Sequence, residues 1–365
     1  MVTEQQVLEA LSRVQEPDLK RDLVSLGMVR DIRIGEHELS FTVVLTTPAC
    51  PLKELIRNNC IQAIHAALGD TLTVRVSLVS KVNSARQGAA TVLPGVKNII
   101  AVASGKGGVG KSTVAANLAI ALAQDGAATG LMDADIYGPS VPLLFGVRGQ
   151  RPMMTQAGGK PRIIPLERFG IRLLSIGLMV DENQAVVWRG PMASSALRQF
   201  VTDVDWGVLD YLIIDLPPGT GDIHLTLVQT VPVTGAVIVT TPQPVALADA
   251  RKGIAMFSTG AIRVPVLGLV ENMAYFSPPE FPDQRYYLFG KDGGKQLAEE
   301  LEIPLLGQIP LIQGIREGGD HGIPAMMGDD PVSKRAFKDF AGKVAQQVAI
   351  RNSRIAPTQV VEIAR

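Results

Sequence analysis

The chain has 365 residues, 46% of them apolar and 19% charged, with 35 basic side chains against 35 acidic ones. That length exceeds what one core ordinarily supports and predicts about two domains. Zero net charge excludes a global electrostatic argument for nucleic acid or an anionic membrane, and two cysteines, Cys50 and Cys60, are too few for a secreted disulfide scaffold.

The opening stretch MVTEQQVLEALSRVQEPDLK carries Glu4, Glu9 and Glu16 in an amphipathic pattern and lacks the basic-then-apolar form of a signal peptide. The sequence also has no apolar run of the length that spans a bilayer. A cytoplasmic location is the expectation. Residues 1–82 read as a small α+β domain. A helix runs through Val7, Leu8 and Leu11, and a strand follows at ELSFTVVLT. Pro51 opens a second helix, PLKELIRNNCIQAIHAAL, because a first helical turn needs no amide hydrogen bond there. LTVRVSLV alternates as a strand. Residues 83–97, poor in large apolar side chains, read as a linker.

From Asn98 the pattern changes. NIIAVA, AATGLMD, YLIID, AVIVT and VLGLVEN are near-continuous apolar runs, as in strands covered on both faces of a parallel sheet. STVAANLAIALAQDG lies between the first two with helical spacing, and Gly126 stops it. The reading is an α/β domain over 98–350, doubly wound on a mainly parallel sheet, with a tail at 351–365.

The segment GKGGVGKS, 105–112, fits G-x-x-x-x-G-K-[ST], after a strand and before a helix. Gly105, Lys106, Gly107, Gly108, Val109 and Gly110 form a loop whose amides turn toward phosphate oxygens, and the helix start adds donors and a favourable dipole. Lys111 is assigned to the β- and γ-phosphates of ATP, Ser112 to Mg²⁺ and Thr113 to the α-phosphate. Asp215 ends YLIID, where an acid would hold Mg²⁺ through water. The loop LPPGTGD that follows it is suited to sensing the γ-phosphate. One of Asp133 and Asp135, at the end of GLMDAD, is placed to orient the attacking water, and Asp135 is the choice.

One lysine suffices for a phosphate loop, and this loop has two. SGKGGVGKST resembles the deviant Walker A motif of the family containing MinD, ParA, ArsA and the nitrogenase iron protein. The resemblance implies that Lys106 crosses a homodimer interface to the partner's nucleotide. DADIYGPSVPLLFG, WRGPM, DYLIIDLPPGTGD, TTPQ and ENMAYF are together similar to the Mrp/ApbC branch, the iron–sulfur cluster carrier ATPases. EPDLKRDLVSLGMV and TTPACPL resemble the small domain often fused to it. This implies slow ATP hydrolysis, carriage of an iron–sulfur cluster to apoproteins, contact with assembly proteins, and adenine recognition by Asn272. No nucleic-acid partner is expected.

The branch usually places a C-x-x-C pair shortly after N-x-M. Here Ser277, Pro278, Pro279 and Glu280 stand in that stretch, and the sequence has no cysteine after Cys60. Clusters are held by soft thiolates, which serine and glutamate do not replace. Cys60 continues a stripe with Leu52, Ile56 and Ile64 and reads as a buried thiol. Cys50, before Pro51 at a helix start where dipoles favour thiolate, is the candidate cluster ligand. A rival reading is a nucleotide-switched dimeric adaptor that binds no cluster. His65 and His224 have no partner at metal-ligand spacing. In FKDFAGKVAQQVAIRNSR, Phe337, Phe340, Val344 and Val348 form the stripe of a helix docked on the core rather than of a membrane anchor.

Overall fold

The computed structural model describes residues 2–84, 92–157, 159–179, 190–259, 262–278, 280–281 and 283–356. Residues 85–91 of the expected linker, the first two residues of WRGPM and Pro279 lie outside them.

In the N-terminal unit α1 (Glu4–Leu11) starts on a capping box between Thr3 and Gln6 and buries Val7, Ala10 and Leu11. Strands β1 (Val29–Ile34), β2 (Glu38–Leu45) and β3 (Thr73–Ser80) form one sheet, with β1 antiparallel and β3 parallel to β2. The crossover from β2 to β3 is α2 (Lys53–Leu68). Strand β2 alternates, with Leu39, Phe41, Val43 and Leu45 turned inward onto Ile56, Cys60 and Ile64 of α2. The second helix therefore starts two residues later than Pro51 predicts. Pro51 and Leu52 form a turn, and the Ile56 N–H donates to the Leu52 carbonyl at 2.9 Å.

The larger unit contains, in chain order, β4 (Val96–Ala103), α3 (Lys111–Gln124), β5 (Thr129–Asp133), β6 (Leu166–Arg168), β7 (Ile171–Ser175), α4 (Gly190–Thr202), β8 (Leu209–Asp215), α5 (Asp222–Thr230), β9 (Gly235–Thr240), α6 (Pro244–Ser258), β10 (Val266–Glu271), α7 (Gly293–Glu300), β11 (Leu305–Gln308), α8 (Gln313–Asp320) and α9 (Pro331–Arg354). The eight strands stand in the order β6-β7-β5-β8-β4-β9-β10-β11, and only β6 runs antiparallel to its neighbour.

Successive residues of each strand feed opposite layers. Ile100, Val102, Leu131 and Ile213 pack with Val114, Leu118 and Leu122 of α3 and with Phe337, Phe340, Val344 and Val348 of α9. Ile99, Ala101, Met132, Leu212 and Ile214 pack with Leu197, Phe200, Leu227 and Phe257 on the other face. Both faces being covered explains the unbroken apolar runs in the sequence. The C-terminal helix is thus docked by the stripe that its sequence shows. It continues to Arg354, and Arg351, 5% exposed, keeps its last turn on the core. Among the described residues no helix is long and apolar enough to cross a membrane.

The two units meet at the loop between β2 and α2. Buried Tyr211 of β8 donates to Thr47 Oγ1 at 3.1 Å. A Cβ on Gly342 of α9 would stand 3.3 Å from the Ala49 carbonyl and 3.7 Å from Pro51, so only a small residue lets the loop approach α9 so closely. Gln346 donates to Asp18 nearby. Burial pushes the Tyr211 hydroxyl up to about 12, which keeps it a neutral donor. Tyr211→Phe should therefore leave the nucleotide site intact and cost about 1 kcal/mol of stability in urea unfolding, the worth of one buried hydrogen bond. An unchanged midpoint would mean that Thr47 finds another donor.

Candidate nucleotide site

The site lies at the carboxyl ends of β5, β8 and β4, where the chain reverses its direction of progress across the sheet. Strand β4 ends at Ala103 and α3 begins at Lys111. The intervening loop is fixed by contacts that a side chain would break. A Cβ on Gly105 would collide with the Asp249 backbone in α6. Gly110, with φ 79°, caps α3 in the left-handed region, and a Cβ there would strike Asn272. Asn272, 7% exposed, donates from Nδ2 to the Val109 carbonyl at 2.9 Å. The Ser104 hydroxyl donates to the Lys106 carbonyl at 2.9 Å, and the Gly219 N–H donates to the Ser104 carbonyl at 2.8 Å. That last bond ties the loop 216–221, after β8, to the start of the glycine-rich loop.

Parallel register puts three polar residues in one row. Asp133 stands opposite Asp215, and Ser175 opposite Asp133. Lys111 Nζ, 6% exposed, lies 2.6 Å from Asp215 Oδ1, 3.8 Å from Asp135 Oδ2 and 3.3 Å from the Ser112 hydroxyl. Asp133 accepts from the Ser175 hydroxyl at 2.8 Å, the Val141 N–H at 3.3 Å and the Asp135 N–H at 3.1 Å. Burial raises both strand-end carboxyls, Asp133 to about 7 with the Asp215 charge adding to it. Lys111 opposes the rise at Asp215. Lys111 opposes the rise at Asp133 as well, while Asp133 holds the turn before residue 141 through the Val141 N–H. Asp215 Oδ2 is buried without a hydrogen-bond partner among the described residues.

Asp135, 8% exposed, borders a cleft of about 610 Å³ between the loop after β5 and the loop after β8. Pro217, Pro218 and His224 line its other side. The structure thus brings Lys111, Ser112, Asp133, Asp135 and Asp215 together, with Asn272 bracing the loop from behind. Lys106 is apart from them. It is exposed and makes no ion pair among the described residues.

Two features escaped the sequence reading. Ser175 belongs to no motif and reaches Asp133 only through strand register. His224, without a metal-ligand partner in sequence, lines the cleft.

Cys50 requires a correction. It lies three residues before α2, is 8% exposed, and belongs to the core of the N-terminal unit. Its thiol is raised, not lowered. Burial is the main cause and Asp18 and Glu16 add to it, against the Leu52 N–H and Lys53. Cys60 is fully buried and pushed up to about 12, as the apolar stripe predicts. Among the described residues no group of three or more His, Cys, Asp or Glu side chains could hold a metal.

A glycine-rich loop leading into a Lys-Ser helix start, with an aspartate ending the adjacent strand of a parallel sheet, defines a P-loop NTPase. The chain belongs to the ParA family described as NUBPL iron-transfer P-loop NTPase, whose model matches residues 95–348. Residues 4–78 match a second model, described as iron-sulfur cluster assembly protein. The chain is 48% identical over 352 residues to the iron-sulfur cluster carrier protein of Synechocystis sp., covering 96% of this chain and 99% of the relative. It is 47% identical to the protein of the same name from Deinococcus radiodurans, covering 97% and 98%. Among solved structures it is similar to the nucleotide-binding protein of Archaeoglobus fulgidus in complex with ADP, at 38% identity and TM-score 0.57, covering 67% of this chain and 93% of that one.

Proposed function

We propose that the protein is a cytoplasmic, Mg²⁺-dependent ATPase that closes as a homodimer around nucleotide and carries iron–sulfur clusters to apoproteins. Residues 1–82 would meet clients or assembly proteins. The observation that carries the ATPase reading is the buried Lys111–Asp215 pair at the start of α3, with one Asp215 oxygen left without a donor.

In this reading the amides of residues 105–113 gather the phosphate oxygens. Lys111 exchanges Asp215 for β- and γ-phosphate oxygens. That exchange leaves Asp215 and the Ser112 hydroxyl as hard oxygen donors, a set that fits Mg²⁺. When bound, Mg²⁺ would neutralise charge on the β- and γ-phosphates. Asp135 orients the attacking water. Asn272 keeps its bond to Val109 and offers the rest of its carboxamide to the adenine edge. Lys106 serves the partner's nucleotide, and its exposure, with no ion pair among the described residues, supports that role.

Cluster carriage is supported by the family and by the names of its full-length relatives. Cys50 remains the candidate ligand, on condition that the loop carrying it opens, because its thiol is buried here. Anaerobic reconstitution with iron and sulfide should give a brown protein with broad visible absorption, and Cys50→Ser should lower its bound iron. A colourless product with intact ATPase activity would favour the adaptor that binds no cluster.

A further inference from the structure

The N-terminal sheet has one covered face and one open face. Leu39, Phe41 and Val43 of β2 and their partners in β3, Val74, Val76 and Leu78, belong to the core that includes α2. The alternate positions form the outer face, and the register arranges them in rows. Arg30 of β1, Thr42 of β2 and Ser77 of β3 share one row, and Arg33, Ser40 and Arg75 share the next. The register of β1 shifts between Arg30 and Arg33, and Asp31 in between has φ 53°. This bulge is what brings both arginines onto one face.

All three arginines are exposed. Arg75 Nε lies 2.9 Å from Glu38 Oε1, with the two side chains 68% and 49% exposed. Arg30 and Arg33 make no ion pair among the described residues. A surface that serves only solubility mixes charges of both signs. Here Glu38 is the one carboxylate at a paired outer position, against three guanidiniums. Neighbouring strands lie about 4.8 Å apart, so the Arg33 and Arg75 backbones are roughly 10 Å apart and the two rows roughly 7 Å apart. Alternate residues of an extended chain have that same spacing of roughly 7 Å. A guanidinium takes a carboxylate through a planar fork of N–H donors, and the Ser40 and Thr42 hydroxyls in the same rows can donate as well.

We propose that this face binds an acidic segment of a partner protein in extended form, with carboxylates at alternate positions set against Arg30 and Arg33. This inference rests on the reading that residues 1–82 meet clients or assembly proteins, and it names the chemistry of that contact. Charge favours a peptide over nucleic acid. Asp31 and Glu38 oppose an unbroken row of phosphates, whereas a peptide can place uncharged residues beside them. The chain as a whole has no net charge to draw in a polyanion.

The probe is a fluorescein-labelled peptide of alternating glutamate and serine, titrated with the full chain and followed by anisotropy. A peptide with glutamine for glutamate and a single-stranded DNA oligonucleotide serve as comparisons. The glutamate peptide should bind in preference to both, and several-fold more weakly at about 200 mM than at about 50 mM salt, because exposed pairs are screened. Arg30→Glu/Arg33→Glu should weaken it roughly tenfold or more, two attractions having become repulsions. Arg13→Glu reverses a charge at an exposed position outside the sheet and should change the affinity by less than about twofold. No binding of the glutamate peptide, equal losses in the Arg13 and Arg30/Arg33 variants, or tighter binding of the DNA at this face would each overturn the proposal. Loss of peptide binding in Arg30→Glu/Arg33→Glu, with cluster uptake and transfer to apo-ferredoxin both unchanged, would instead tell against the reading that clients or assembly proteins are met here.

Discussion

Lys111→Ala should lose ATP turnover and also unfold more easily than wild type. The side chain is 6% exposed and its partner Asp215 is 0% exposed, with 2.6 Å between them. Removing the ammonium leaves a buried carboxylate whose other oxygen already lacks a donor. Breaking such a pair from one side costs about 3–5 kcal/mol, less whatever the carboxyl recovers by taking up a proton. Turnover should fall by roughly 10²–10³-fold or more, because the charge on the transferred phosphoryl group loses its nearest cation. The two effects separate in the double variant Lys111→Ala/Asp215→Asn. Neutralising Asp215 should restore much of the stability while activity stays lost. Urea unfolding and phosphate release measure the two. A single variant as stable as wild type would contradict the buried ion pair.

Lys106→Ala should behave in the opposite way. The side chain is exposed and makes no ion pair among the described residues, so its loss should leave stability within about 0.5 kcal/mol of wild type. Nucleotide should still bind, within about threefold, since the protomer's own amides and Lys111 remain. Hydrolysis should fall on the order of 10³-fold, the scale on which a cation supplied in trans acts in phosphoryl transfer. ATP-dependent dimerisation, read by analytical ultracentrifugation, should be lost as well. Full turnover in this variant would refute the division of labour between the two lysines.

The parts of this molecule legible in its sequence are those whose signal is local. The strands β4, β5, β8, β9 and β10 are apolar on both faces, so their runs are unbroken. The phosphate loop is legible because its glycines answer local demands: a Cβ on Gly105 or Gly110 would collide with neighbouring atoms, and Gly108 takes a positive φ. Strands β6, β7 and β11 are three to five residues long and earn their place only by pairing with strands far away in the chain. Ser175 and His224 fail for the same reason: what brings each to the site lies across the sheet or under a loop. Cys50 shows how fine the margin is. Starting α2 at Lys53 rather than Pro51 moves the thiol away from the helix terminus and into an apolar core, which reverses the sign of its pKa shift.

Mixing the two lysine variants tests the account most directly. Lys106→Ala and Lys111→Ala should each be inactive alone. In a mixed dimer the Lys106→Ala protomer keeps its own Lys111 and receives Lys106 from its partner, which completes one site. With random pairing in a symmetric dimer, an equimolar mixture should recover about a quarter of wild-type ATPase activity. A mixture as inactive as its two components, with mixed dimers shown to form, would contradict the claim that the two cations of each site come from different protomers.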